Sequence, residues 1–147
     1  MSTLRQPISV LVVIYNEHNE FLLLQRADDP SFWQSVTGGI DVGESPLETA
    51  YRELKEETGI DAKALGLTIH THNKTNQYPI RPQWLHRYEP DVTINTEYVF
   101  SIQVPSDIPV LLAKDEHISF VWLDKPRACE QVWSPSNRKE IELIGVA

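Results

Sequence analysis

The chain has 147 residues, a length that suits one domain with a single core, and we expect residues 1–147 to form that domain. Its composition, 41% hydrophobic and 23% charged, is ordinary for a globular protein, and no apolar run is long enough to span a membrane. A net charge of −8 argues against broad binding to nucleic acid or anionic membranes, which requires a basic surface.

The first predicted element is a buried strand in the apolar run of residues 8–15. Asn16, Glu17 and His18 follow this run, where a signal peptide would have small residues for cleavage. A lone cysteine, Cys129, cannot form an internal disulfide and gives no sign of export. We therefore expect a cytoplasmic protein.

Short apolar runs predict two further strands, at 21–25 and 32–36, and a helix follows them. Ser45 is placed to cap the helix, with Pro46 at its first position and Glu48 completing a capping box. Gly59 is a natural end point. Between these limits an apolar stripe at helical spacing predicts the buried side: Leu47, Ala50, Tyr51, Leu54 and Thr58.

The second half of the chain is richer in predicted strands. We expect them at 65–72, near 84–88, at 96–104 and at 119–123, with a closing helix at 136–144. The segment 73–83 contains Pro79 and Pro82 and is predicted to be a mobile loop. Strands on both sides of one central helix, with another helix at the end, indicate an α/β fold with a helix-covered sheet.

Three carboxylates cluster on the predicted central helix. At about 100° per residue, Glu53, Glu56 and Glu57 fall within an arc of roughly 100° that lies off the apolar stripe. Like charges at this spacing repel one another, and a divalent cation would turn repulsion into coordination. Oxygen ligands without Cys or His favour Mg²⁺ or Mn²⁺ over Zn²⁺. For an arbitrary helix, a solvated acidic face would be the commoner explanation.

The surrounding sequence favours a cation site over a solvated acidic face. From Gly38 it reads GGIDVGESPLETAYRELKEETGI, which fits the pattern G-x5-E-x7-R-E-U-x-E-E-x-G-U without a gap, where U is a bulky aliphatic residue. This segment resembles the Nudix box. The resemblance implies an α/β/α sandwich with a mixed β-sheet and a loop–helix–loop metal site. It also implies hydrolysis of a diphosphate linked to another group.

By the same resemblance, Glu53, Glu56 and Glu57 hold the metal or orient water, and the carbonyl of Gly38 joins them. Arg52 and Glu44 brace the helix through an ion pair. An acidic residue just before a late strand, followed by His and then Trp-Leu, recurs in the family as a further metal ligand, and Glu116 occupies that position. Either Glu53 or Glu116 could take the proton from the attacking water.

Several stretches outside the box resemble the branch of the Nudix family that acts on dihydroneopterin triphosphate in folate synthesis. They are residues 7–15, 24–26, 28–30, 32–38, 86–88, 95–97, 116–117, 122–124 and 136–138. The resemblance implies that Arg5 and Arg26 grip phosphates and that Thr37 and Ser134 contact substrate. Arg26 could instead form an exposed ion pair, and Ser134 could serve only as a helix cap.

A flat pterin ring needs an aromatic or apolar wall with a few polar groups. Tyr78 is our candidate for ring contact, with Trp33, Trp84 and Tyr88 also available. Other readings remain open: a Nudix hydrolase of nucleoside triphosphates or dinucleoside polyphosphates, or an inactive domain that senses a ligand. We expect a small-molecule triphosphate as partner, no nucleic acid or membrane, and a monomer or weak homo-oligomer.

Overall fold

The computed structural model describes residues 4–145, so the ends of the predicted domain, residues 1–3 and 146–147, lie outside the description. The described residues form a seven-stranded mixed sheet. Its strands in chain order are β1 (Ile8–Asn16), β2 (Glu20–Arg26), β3 (Trp33–Gln34), β4 (Val36–Gly39), β5 (His70–Pro79), β6 (Ile94–Val104) and β7 (His117–Asp124).

β1 lies at the centre of the sheet. It pairs parallel with β6 along its whole length and antiparallel with β4 and, at one end, with β2. β2 continues the sheet through β3 and β7, while β5 forms the edge beyond β6. Residues 10–14 of β1 are at most 1% exposed, because both faces of the strand are covered. The apolar run of 8–15 is therefore a buried central strand, as predicted.

Helices cover both faces of this sheet. Helix α1 (Pro46–Thr58) packs on one face through Ala50 and Leu54, and helices α2 (Lys125–Gln131) and α3 (Pro135–Leu143) cover the other through Ala128, Val132 and Ile141. A 3₁₀ helix, Pro82–Arg87, connects β5 toward β6. The predicted α/β/α sandwich with a mixed sheet is confirmed. Among residues 4–145, none of the helices combines the length and the hydropathy that a membrane crossing needs.

Helix α1 begins and ends where the capping signals predicted. Ser45 Oγ accepts from the Glu48 amide, and the Glu48 side chain accepts from the Ser45 amide. Gly59 adopts the left-handed conformation, with φ of 75°, and donates to the Lys55 carbonyl. Leu47 does not join the buried stripe as predicted, because it lies in the first turn and is 42% exposed.

The prediction for residues 73–88 was wrong. The supposed loop is mostly β5, and the strand expected near 84–88 is the 3₁₀ helix that starts at Pro82. β5 is an edge strand of polar, largely exposed residues, HTHNKTNQYP, so it lacks the apolar alternation by which strands are recognised. The strand expected at 32–36 is divided at Ser35 into β3 and β4, which pair with different neighbours.

Candidate active site

An acidic cavity of about 370 Å³ lies where α1 faces β4 and the start of β7. Strand pairing builds it: β2 places Arg26 opposite His117 on β7, and β1 places Val10 opposite Gly38 on β4. The lining residues are Arg5, Arg26, Asp28, Gln34, Thr37, Gly38, Glu53, Glu57, Arg87, Asp115, Glu116 and His117.

Glu57 is the most deeply buried carboxylate of this cavity, at 2% exposure. Its Oε1 atom has no hydrogen-bond partner among residues 4–145. Burial raises the pKa of Glu57 well above its usual value, and the neighbouring Glu53 and Glu116 raise it further. Ligand atoms of Glu57, Glu116 and His117 lie within 4.8 Å of one another. A buried, unpartnered carboxylate beside other carboxylates suits a divalent cation.

His117 is a member of this group to which the sequence analysis gave no role. Gln34 Nε2 lies 3.2 Å from His117 Nε2, within hydrogen-bonding distance. Burial, followed by the charge of Arg26, lowers the pKa of His117 to about 4. The neutral ring therefore forms no ion pair with Glu57, although Nε2 and Oε1 are 3.7 Å apart. The adjacency of Glu116 and His117 was the available signal.

Glu53 lies against the backbone of Gly38. A Cβ atom added to Gly38 would overlap the Glu53 carboxylate, so only glycine permits this close approach. Burial, then the hydrogen bond with Glu56, raises the pKa of Glu53 to about 8. The first glycine of the motif thus sets the position of a carboxylate at the cavity.

Arg52 holds the outer side of α1, as predicted. Its Nε and Nη2 atoms donate to the two carboxylate oxygens of Glu44 at 2.7 and 2.9 Å. The hydrogen bond from Arg52 is the main reason that the pKa of Glu44 falls to about 2. Arg52 Nη1 also donates to Glu53 and Glu56, each at 3.2 Å. The Glu56 side chain is 55% exposed, and the described residues that line the cavity do not include it.

A larger cavity of about 580 Å³ continues from the acidic one. The two share Arg5, Arg26, Gln34, Thr37, Gly38 and Arg87. All five residues predicted to contact substrate line this larger cavity: Arg5, Arg26, Thr37, Tyr78 and Ser134. The tertiary structure therefore brings four of the five predicted metal residues and all the predicted substrate residues to two adjoining cavities; Glu56 is the exception.

Three arginines meet at the junction of the two cavities. The Arg26 guanidinium donates to both oxygens of Asp28 at 2.7 Å and lies 4.5 Å from the centre of the Trp84 ring. Only 18% of its side chain is exposed, which disfavours the alternative of an exposed surface pair. Arg87, which the sequence analysis did not single out, has its pKa lowered by burial and by the like charges of Arg5 and Arg26. Such a group is suited to bind an anion.

Aromatic side chains form a wall of the larger cavity. Phe32 stacks on Trp133 with ring centres 4.7 Å apart, and the Arg81 guanidinium lies 4.7 Å from Trp133 and 4.9 Å from Trp84. Trp84 and Tyr88, which the sequence offered as further candidates for ring contact, line the cavity. Trp33 does not, because its side chain packs with the core beneath α2 and α3. Phe32 and Trp133 occupy the wall in its place.

Against this geometry, a model of the NUDIX domain matches residues 5–142 of the chain. The chain belongs to the NUDIX family. Within a NUDIX protein, α1 and its flanking loops are the loop–helix–loop element that the motif predicted, and here it carries Glu53 and Glu57 to the acidic cavity.

This NUDIX chain is 43% identical to the dihydroneopterin triphosphate diphosphatase of Escherichia coli over 94% of its own length and 91% of that enzyme. It is 40% identical to the Haemophilus influenzae enzyme of the same name, over 91% and 84% of the two chains. Its structure matches that of the E. coli dihydroneopterin triphosphate pyrophosphohydrolase with a TM-score of 0.91 at 42% identity, covering 97% of each chain.

Two predicted contacts of this NUDIX protein have structural roles as well. The Tyr78 hydroxyl accepts from Asn95 Nδ2 at 3.0 Å, and burial is the main reason that its pKa rises to about 12. Ser134 caps α3 by accepting from the Asn137 amide at 3.4 Å. It also lines the cavity, so the cap and the predicted substrate contact do not exclude each other.

Proposed function

We propose that this chain hydrolyses dihydroneopterin triphosphate to dihydroneopterin monophosphate and pyrophosphate, as a step of folate synthesis. The observation that carries the proposal is that the two cavities adjoin and share six lining residues. A carboxylate cluster lines one cavity, three arginines line both, and an aromatic wall lines the other. These suit, in turn, a cation, a phosphate chain and a flat ring. Relatives of 43% and 40% identity that carry this activity in their names support the same substrate.

The cofactor we propose is Mg²⁺, with Mn²⁺ as the alternative. Glu57, Glu53 and Glu116 would hold it together with the carbonyl of Gly38, because they supply the hard oxygen donors that these cations prefer. The orphaned Oε1 of Glu57 and the close contact of Gly38 with Glu53 both fit such an ion. When bound, the cation offsets charge on phosphate oxygens and increases the acidity of water.

The arginines bind and orient the phosphate chain. Arg5, Arg26 and Arg87 line both cavities, so a triphosphate that extends from the larger cavity to the carboxylates lies beside them. Their mutual repulsion is relieved by an anion, and planar guanidinium groups match phosphate geometry. A protein with a net charge of −8 would repel a polyphosphate, and the positive charge of these arginines offsets that repulsion at the site.

Glu53 is the side chain we assign to accept the proton of the attacking water, with Glu116 as the alternative. The Glu53 side chain is 12% exposed and lies against Gly38 at the cavity, whereas Glu116 is exposed. Thr37, beside Gly38 on β4, and Ser134, at the start of α3, are placed to donate hydrogen bonds to the substrate. Tyr78 and the aromatic wall hold the ring and exclude water around it.

We propose that residues 1–147 act as one domain in the cytoplasm, as a monomer or weak homo-oligomer. The acidic composition favours a small-molecule triphosphate over nucleic acid or a membrane surface.

A turnover assay with Mg²⁺ tests the proposal. Dihydroneopterin triphosphate, the common nucleoside triphosphates and dinucleoside polyphosphates are compared under one condition, and pyrophosphate is resolved from inorganic phosphate. We expect a clear preference for the pterin with release of pyrophosphate. Preference for a nucleotide would overturn the substrate while keeping the chemistry. Binding without turnover of any substrate would favour the ligand-sensor alternative.

A further inference from the structure

Strand β6 carries two polar side chains where an apolar core is expected. Val99 on this strand packs in the core beneath α2 and α3. Asn95 and Glu97 have the same strand parity and therefore point to the same face, where they are 4% and 3% exposed. Burying a carboxylate destabilises a fold unless the group is fully paired. Glu97 therefore has a cost in stability that calls for a functional reason.

The partners of Glu97 satisfy it only in part. Strand register places Ser9 on one side of Glu97 and Asn76 on the other. Ser136 Oγ donates to Glu97 Oε1 at 3.3 Å, which is long for a hydrogen bond between oxygens. Burial raises the pKa of Glu97 to about 7, against the opposing effect of its hydrogen bonds with Ser136 and Asn76. The long contact with Ser136 leaves the Glu97 carboxylate able to accept from further donors.

A second carboxylate in the same cluster provides a comparison. Glu140 is fully buried, and its two oxygens lie 2.7 Å from Lys74 Nζ and 2.9 Å from Asn76 Nδ2. Of the two neighbours, Glu97 lines the larger cavity and Glu140 does not. The charge of Glu140 is therefore compensated by Lys74, whereas Glu97, which forms no ion pair among residues 4–145, faces the space that we assign to substrate.

Glu97 lies away from the phosphate end of that space. It lines the larger cavity with Ser9, Tyr78 and Asn95, and does not line the acidic cavity where Glu53 and Glu57 lie. The space thus has an anion-binding end, marked by arginines, and an end that accepts hydrogen bonds. A ligand that fits both carries phosphates at one end and neighbouring N–H donors at the other.

We propose that Glu97 determines specificity for the heterocycle by accepting two hydrogen bonds, one from a ring N–H and one from the adjacent exocyclic amino group. This inference rests on the proposed function, since a 2-amino-4-oxo pterin presents such an edge. Guanine presents the same pair of donors, whereas adenine has an acceptor nitrogen next to its amino group. A carboxylate at this position therefore selects pterins and guanine and rejects adenine.

The variant Glu97→Gln tests this role. It keeps the volume of the side chain and removes a buried charge, so we expect the unfolding temperature to stay level or rise. In place of one acceptor it presents an N–H₂ group to the donors of the ring. We expect kcat/KM to fall about 10- to 100-fold for dihydroneopterin triphosphate and for GTP, the range of a two-point contact. ATP turnover should change little, so the GTP-to-ATP ratio should collapse.

Glu140→Gln is the matched control. It alters a neighbouring buried carboxylate that does not line the cavity, and we expect lower stability but an unchanged GTP-to-ATP ratio. A GTP-to-ATP ratio that stays unchanged in Glu97→Gln, whether both activities fall equally or neither falls, would overturn the inference. A ratio that falls equally in Glu140→Gln would also overturn it, because a contact with the ring would then not be needed.

A binding measurement separates this inference from the proposed function. Neopterin carries the same ring edge and no phosphate, and its fluorescence reports binding without turnover. We expect wild type to bind it, with at least tenfold weaker binding by Glu97→Gln. No difference between the two proteins, or no binding by wild type, would overturn the role of Glu97. If neopterin binding depends on Glu97 while dihydroneopterin triphosphate is not hydrolysed, the proposed reaction fails and the ring contact stands.

Discussion

The two sides of helix α1 use the same residue types in opposite ways. On the outer side, Arg52 neutralises Glu44 with two short hydrogen bonds and reaches Glu56, so the charges are compensated within the fold. On the inner side, Glu57 is buried with an unpartnered oxygen. Compensated carboxylates stabilise the helix, whereas uncompensated buried ones reduce stability and are suited to bind a cation. The contrast supports the proposed cation site on the inner side of the helix.

The largest expected effect comes from the inner side. We expect Glu57→Gln to lower kcat by on the order of 10²–10⁴, because it removes a buried charged oxygen from the proposed cation site. The fold should persist, since a buried carboxylate becomes a neutral amide of equal size. Steady-state kinetics across a Mg²⁺ titration, with circular dichroism as the control for folding, checks this. Near-normal turnover at limiting Mg²⁺ would remove Glu57 from the site.

Gly38→Ala tests the contact that positions Glu53. The new Cβ would overlap the Glu53 carboxylate, which is the end of a flexible side chain and can move aside. We expect the fold to persist while kcat drops by about 10², the effect of a displacement near 1 Å in a catalytic group. In the paired variant Gly39→Ala, the new Cβ would lie 2.6 Å from Arg5 Nη2, so it should raise KM instead. Equal kinetic effects in both variants would argue against this division of roles.

At the arginine junction, Arg26→Ala should act on substrate saturation. We expect KM for the triphosphate to rise about tenfold, with little change in Mg²⁺ affinity, because a charge-assisted contact to phosphate is lost. Arg127→Ala removes an equal charge from an exposed position, where the side chain is 76% exposed, and should leave KM unchanged. An unchanged KM in Arg26→Ala would assign Arg26 to its ion pair with Asp28 alone.

Without a divalent cation, the buried carboxylate of Glu53 should make the free energy of unfolding depend on pH. The pKa of Glu53 in the folded chain is about 8, above its ordinary value of 4.5, so the folded state binds more protons across this window. The free energy of unfolding should therefore fall as pH rises from about 4.5 to 8. Each kcal/mol lost lowers Tm by roughly 2–4 °C. Thermal unfolding in EDTA and in Mg²⁺ checks this, and a similar slope in both would contradict it.

The smallest effect is expected on the outer side. Glu56→Gln should change kcat by no more than about twofold and stability by about 0.5 kcal/mol or less, because its pair with Arg52 is solvent-exposed. Under the assay conditions used for Glu57→Gln, a comparable loss of turnover would return Glu56 to the cation ligands that the motif implied.

Local sequence signals were sufficient for α1. Ser45, Pro46, Glu48 and Gly59 satisfy or terminate backbone groups within a few residues, so the bounds of the helix follow from neighbours in the chain. Spacing on the helix also placed Glu53 and Glu57 together. It could not separate them from Glu56, because an arc of 100° does not reveal how deeply each carboxylate will be buried.

The polar edge of the sheet could not be predicted in this way. β5 has few buried side chains, and its hydrogen bonds are made to β6, so its extended form depends on a partner distant in sequence. The expectation of a loop at 73–83 failed for that reason. The same strand places Gln77, Tyr78 and Pro79 at the larger cavity, and of these the sequence had identified only Tyr78.

By itself, the sequence determined the family motif, the central helix and the buried strand β1, and it supplied the carboxylates that we propose as cation ligands, because these depend on local spacing and on oxygen chemistry. The tertiary structure alone decided that Arg87 and His117 join the site, that Phe32 and Trp133 form its wall, and that Glu97 is under-paired at the cavity. Burial and long-range strand register control those features, and neither follows from the spacing of residues along the chain.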